Sequence, residues 1–424
     1  MQAPDGMRNT HTEPQGLALL PAINAHFFAE TQDGEALFRQ AIADRHLRRV
    51  HAEIQPGGIV GAINAYAQAP TPELLVVESS AQPDELFQQL RALAEVVVQG
   101  TRVILVGHIN DLFLYRQLLA EGLHDYMALP MPPQQLVASL SQLFHSEPDA
   151  RLGRVVAFMG AKGGVGSSVI AHNVAWLLAN QHKVNTVVTD LDLAFGTAGI
   201  DFGAAVAQTV ADALSSADRL DATMIDKLLH ACSDHLKLLA APCTLDEVVP
   251  IQEQTLNHLL DLLRQVMPLT VLDLPSDWEG WMQAVITQAD KLVITATLDL
   301  ASLRNAKVLL DSIRKMRPNE QPPLLVLNQA SMGKRPEVPA DKFAKTVGAD
   351  DYVQVPFNDK LFGTASLEGR MVVEEDPKGE IAEAFAEIAT RVAELPRQEG
   401  KKAESGLDKL LQPLMQKFLK RGKA

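Results

Sequence analysis

The chain has 424 residues with a hydrophobic fraction of 47%, enough for two or three domains with well-buried cores. Its formal net charge of −14 argues against a protein that coats nucleic acid, because such binding rests on Lys and Arg neutralising phosphates. Two cysteines, Cys232 and Cys243, are too few for a disulfide framework and lack metal-ligand spacing, which fits a reducing compartment.

Residues 1–16 are polar, carry Asp5 and Glu13 and have no apolar core of the kind a signal peptide needs. They are expected to form a disordered tail. No uncharged apolar run reaches the length that spans a bilayer. The expected location is cytoplasmic, or peripheral on the inner membrane.

Between residues 17 and 145, short apolar runs at 19–28, 47–54, 74–78, 103–106 and 126–128 alternate with amphipathic stretches at 35–44, 58–67, 83–98, 112–120 and 133–144. That alternation predicts a small doubly wound α/β domain. Residues 146–152 are polar, contain Pro148 and read as a linker. A second α/β domain is expected over 153–395. Its strands, at 155–159, 186–189, 236–240, 269–272, 291–295 and 324–327, are near-continuous apolar runs, as in a mostly parallel sheet covered on both faces. A charged linker at 396–406 precedes an amphipathic helix at 407–421.

The densest chemical signal follows the first strand of the second domain: Gly160, Ala161, Lys162, Gly163, Gly164, Val165, Gly166, Ser167 and Ser168, then an apolar helix. Strand, glycine-rich turn and helix start are the context that a phosphate loop requires. The glycines open backbone angles that let successive N–H groups curl around phosphate oxygens, and the helix adds its N-terminal partial charge. Ser168 is placed to ligate Mg²⁺. One position departs from G-x-x-x-x-G-K-[ST]: Ser167 stands where the loop lysine belongs.

With Lys162 ahead of the paired glycines, the loop resembles that of the MinD/ParA family of deviant P-loop ATPases, which reads K-G-G-x-G-K-[ST]. Other family motifs recur in order over 153–395. The resemblance implies ATP and Mg²⁺ as cofactors, with Asp190 and Asp273 helping Ser168 hold the metal and Asp192 activating water. It implies that Asn328 contacts adenine, that Pro356 and Phe357 lie near the base, and that Lys162 reaches across a homodimer to the partner's nucleotide. A γ-phosphate needs charge compensation that a loop lysine normally provides, so Ser167 predicts nucleotide binding with slow or absent hydrolysis.

The front domain resembles response-regulator receivers without their chemistry. Glu78 occupies the position of the phosphorylated aspartate, Leu129 that of the signature lysine, and Ala29-Glu30 that of the acidic pair. A pseudo-receiver followed by a MinD-like domain, with a loop that fits K-G-G-V-G-[AS]-[ST], is similar to the CpaE/TadZ proteins of Flp-type (tight adherence) pilus systems. That resemblance implies an assembly or localisation factor whose partners are the pilus secretion machinery or polar localisation proteins. The competing reading is an active partitioning ATPase acting on DNA or the division site; Ser167 and the acidic balance disfavour it, and nucleic acid is not an expected partner.

At the C-terminus, Leu407, Leu410, Leu411, Leu414, Met415, Phe418 and Leu419 share one helical face beside basic residues. Such a helix can lie in a membrane surface, and the pattern suits docking on a protein partner or on the front domain somewhat better; Pro413 interrupts its hydrogen bonding.

Overall fold

The computed structural model describes residues 17–393 except 18, 146–151, 217–218, 245–249, 319, 334 and 350. The expected tail, most of the first linker, the second linker and the amphipathic helix lie outside the described residues.

Leu74-Leu-Val-Val-Glu-Ser79 is buried along its whole length, the signature of a strand with helices on both faces. It is the third of five strands in the front domain: β1 (Asn24–Ala29), β2 (His51–Pro56), β3 (Leu74–Ser79), β4 (Arg102–Gly107) and β5 (Asp125–Ala128). They alternate with α1 (Gln32–Ile42), α2 (Gly58–Tyr66), α3 (Pro83–Val96), α4 (Leu112–Ala120) and α5 (Pro133–His145). All pairings are parallel, in the order β2-β1-β3-β4-β5, which is the doubly wound order. Phe38, Leu136 and Leu140 from α1 and α5 pack one face. Ile59, Leu90 and Leu114 from α2, α3 and α4 pack the other.

The second domain contains β6 (Arg154–Gly160), α6 (Ser167–Asn180), β7 (Thr186–Asp190), α7 (Ala198–Asp201), α8 (Val210–Ser215), α9 (Ala222–Leu228), β8 (His230–Ala231), β9 (Leu236–Leu239), α10 (Glu253–Val266) and β10 (Leu269–Leu274). It continues with α11 (Gly280–Gln288), β11 (Lys291–Thr297), α12 (Leu300–Met316), β12 (Leu324–Ala330), α13 (Ala340–Val347), β13 (Tyr352–Pro356), α14 (Asp359–Glu368), α15 (Val372–Glu375) and α16 (Glu380–Ala393). The sheet runs β13-β12-β11-β6-β10-β7-β9-β8. Only the two-residue edge strand β8 is antiparallel. One face is packed by α6 and α16 through Ile170, Val174, Phe385 and Ile388; α10, α11 and α12 cover the other with Leu259, Met282 and Leu310. Every predicted apolar run is a strand here, and β8 and β13 are additions. Among the described residues no helix is long and apolar enough to cross a membrane.

The domains meet through a basic turn of the front domain. Arg45 donates to Glu320 Oε2 (2.8 Å) and to the Ala289 carbonyl (3.2 Å). Arg48 pairs with Glu253 at 3.1 Å and Arg49 with Asp261 at 2.8 Å. Ala289 and Glu320 lie in the short segments that lead into β11 and β12, so this seam lies at the N-terminal ends of the strands, opposite the phosphate loop.

Candidate functional site

β6 occupies an interior position of the sheet, and its C-terminal end opens directly into the glycine-rich turn. Crevices outside the carboxyl ends of parallel strands are where such folds bind ligands. Gly164 (φ +77°) and Gly166 (φ +84°) take the left-handed conformation closed to most side chains. Gly166 is also the N-cap of α6, so the helix starts at Ser167 and takes in the last two residues of the glycine-rich segment. The Ala161 N–H donates to the Thr295 carbonyl at 2.8 Å and ties the turn to β11.

Strand register places Asp273 of β10 directly beside Asp190 of β7. Asp273 is 1% exposed, and its Oδ1 has no hydrogen-bond partner among the described residues. The hydroxyl of Ser167, itself buried, is likewise unpartnered. Buried polar atoms are normally paired. A divalent cation and phosphate oxygens fit these orphaned groups, with Ser168 half-buried on the next position of the helix. Asp273 and Ser168 would hold the metal, whose chemistry when bound is to neutralise phosphate charge.

Asp190, expected among the metal ligands, is engaged otherwise. Its Oδ1 accepts from Asp192 N–H (3.1 Å) and its Oδ2 from Ala198 N–H (3.2 Å). Burial and the neighbouring Asp273 push its pKa up to about 7. The carboxylate shapes the turn after β7. Asp192 is half-buried, with Oδ1 accepting the Phe195 N–H at 3.1 Å.

His172 had no place in the motif reading. It is wholly buried in α6, with Nδ1 2.7 Å from Asp201 and Nε2 3.3 Å from Asp273. Burial alone would lower its pKa, but the hydrogen bond to Asp201 and the nearby Asp273 carboxylate raise it to about 10, although Nε2 itself makes no hydrogen bond among the described residues. His172 thus lies buried between two acids, one of them Asp273. Its only signal in the sequence is a polar residue inside the apolar helix.

Lys162 Nζ lies 3.2 Å from Asp299 Oδ2. Asp299 caps α12 by accepting the Ser302 N–H and also receives Thr297 Oγ1 and Arg335. Burial would raise its pKa, yet the Ser302 and Thr297 donors and the Lys162 ammonium hold it well below the usual carboxylate range. Asn328 is buried, and its Nδ2 donates to the Val165 carbonyl at 2.8 Å. Pro356 ends β13, and Phe357, 39% exposed, donates its N–H to Ala330 at the end of β12. Ser276, past β10, adjoins Gly163: a Cβ there would stand 3.6 Å from its hydroxyl.

A family model described as an AAA domain matches residues 153–326. The chain is 23% identical over 247 residues to the septum site-determining protein MinD of Bacillus subtilis, covering 57% of this chain and 89% of that protein. It superposes on a ParA family ATPase from Chlorobium tepidum with a TM-score of 0.51 and 26% identity, over 56% of this chain and 98% of that one. The second domain is MinD/ParA-like. A pilus assembly protein CpaE from Caulobacter crescentus is 34% identical over 30% of this chain and 96% of its own, with a TM-score of 0.29. Asp273 lies near the C-terminal end of β10, which pairs with β6, the strand that opens into the glycine turn, while Asp190, Lys162 and Asn328 contact neighbouring protein groups.

The front domain has a second polar centre. Glu78, 0% exposed, accepts the N–H groups of Glu30 (2.7 Å) and Thr31 (2.9 Å) and the Thr31 hydroxyl (2.6 Å), and pairs with His108 Nε2 at 3.0 Å. Burial would lift its pKa, but these donors lower it. A Cβ on Gly34 would fall 1.9 Å from its carboxylate, so Gly34 makes room for the longer acid.

Proposed function

We propose that the chain is an ATP-binding assembly or localisation factor for a Flp-type (tad) pilus secretion system, acting as a nucleotide-linked dimer with weak or no hydrolysis. One observation carries the nucleotide part: the helix that follows the glycine turn begins at Ser167, whose buried Oγ is unpartnered and which stands in place of the usual loop lysine, and Asp273 Oδ1, on the strand next to β6, is buried and unpartnered too. The site has what binding Mg-ATP requires and lacks the charge that fast turnover uses. The pilus part rests on the wording of the loop and on the domain order. A pseudo-receiver whose acceptor position is filled by a fully hydrogen-bonded Glu78 keeps its surfaces for contacts with partners while dispensing with phosphorylation.

Purified full-length protein provides the test, through Mg-dependent ATP binding, turnover and molecular size with and without ATP. Expected are binding lost in a Gly164→Val/Ser168→Ala double variant, slow turnover and a nucleotide-dependent dimer. A brisk, DNA-stimulated ATPase would instead favour partitioning. In cells, the same double variant should lose surface pili.

A further inference from the structure

Asn328 and Gln329 fall where the β12–β13 register shifts, between Leu327 and Ala330. Gln329 takes a left-handed backbone angle (φ +56°) that is uncommon for a side chain of its type. The outcome of this irregularity is that both amides meet the phosphate loop. Asn328 Nδ2 donates to the Val165 carbonyl at 2.8 Å, and Gln329 Nε2 to the Gly164 carbonyl at 3.2 Å.

A trans peptide is planar, so the carbonyl of one residue and the N–H of the next point in opposite directions. Drawing the Gly164 and Val165 carbonyls toward β12 therefore turns the N–H groups of Val165 and Gly166 away from it. Two consecutive peptide dipoles are fixed from outside the loop, in the arrangement an anion-binding nest requires. Gly166 completes the fit, since a Cβ there would lie 2.5 Å from Asn328 Nδ2.

We propose that Asn328 and Gln329 are positioning residues for the polyphosphate chain of the nucleotide, orienting the loop N–H groups in a site that lacks its lysine. The inference rests on the phosphate-loop reading above. It assigns the Asn328 amide nitrogen to the loop rather than to adenine. A backbone strained at Gln329 is retained because the side chain it aims is used.

The test compares Mg-ATP, Mg-GTP and inorganic tripolyphosphate binding to full-length wild type, Asn328→Leu and Gln329→Gly. Each variant should weaken all three ligands by a similar factor, about fivefold for one lost neutral hydrogen bond. Gln329→Gly also relieves the left-handed angle, so its melting temperature should stay level or rise while affinity falls, which a purely structural role does not produce. A loss confined to ATP, with tripolyphosphate unaffected, overturns the inference and makes Asn328 a base-reading residue. Unchanged affinities for all three overturn it as well. Wild type that binds neither ATP nor tripolyphosphate overturns the phosphate-loop reading itself, and the inference with it.

Discussion

Lys162 Nζ stands 3.2 Å from Asp299 Oδ2, so the ammonium of the glycine-rich loop is held by a carboxylate of its own chain. For Lys162 to reach a partner's nucleotide, this pair must open. The pair is partly exposed, and such pairs are worth about 0–1 kcal/mol. Asp299→Asn keeps the cap on α12, because Asn caps as well as Asp, and removes the charge. It should lower the ATP concentration needed for dimerisation by about fivefold at most, whereas Lys162→Ala should abolish the nucleotide dependence. Sedimentation velocity with and without ATP is the measurement; equal dimerisation of all three proteins would remove Lys162 from the interface.

Ser167→Lys restores the missing loop charge. The serine hydroxyl has no partner to lose, so the change costs no existing hydrogen bond. Turnover should rise by roughly a hundredfold to a thousandfold, the scale on which one preorganised electrostatic group acts. Phosphate release under saturating ATP checks this, and a wild-type rate that is already high and indifferent to the substitution refutes the charge argument.

Gly34 lies within α1, where alanine would ordinarily be better by about 1 kcal/mol. Here the 1.9 Å approach to Glu78 reverses the sign. Overpacking typically costs about 1–3 kcal/mol, so Gly34→Ala should lower the denaturant midpoint. The same crowding, and the donors already on Glu78, predict that small phosphodonors do not label the front domain. Stable labelling that is lost on Glu78→Gln would contradict this.

His172 has a folded pKa of about 10, raised above its ordinary 6.5. Its proton therefore contributes stability fully below about pH 6.5, and that contribution is lost as pH rises through about 10. Asp190 is raised too, but to about 7, so its window closes lower. Chemical denaturation between pH 7.5 and 10 should show wild type losing more stability than His172→Asn. Equal slopes would mean that His172 is neutral in the folded protein.

The interior of both sheets was legible because buried parallel strands must be continuous apolar runs, as in residues 155–159 and 269–272. The margins were not. Leu19 and Leu20 read as part of the first strand, yet they are buried ahead of β1, where the Leu20 N–H bonds to the His46 carbonyl. β13 alternates exposed and buried residues, and β8 has two residues, too little pattern to register. In the site, glycine spacing and strand-end acids carry local signals, and they located the loop and Asp273. His172 against Asp273, Asn328 against Val165 and Lys162 against Asp299 are separated by more than a hundred residues each. Such pairings come from strand order, which motif spacing does not encode.

The seam formed by Arg45, Arg48 and Arg49 lies at one end of the strands and the phosphate loop at the other. β11 has seven residues, which at about 3.3 Å per residue amounts to roughly 20 Å of rigid sheet. Arg45 and Arg49 are buried, and salt screens buried charges little, so the length of sheet is what separates them from the loop. The arginine seam and the phosphate loop thus sit a strand's length apart, and any influence of one on the other has to pass along the sheet.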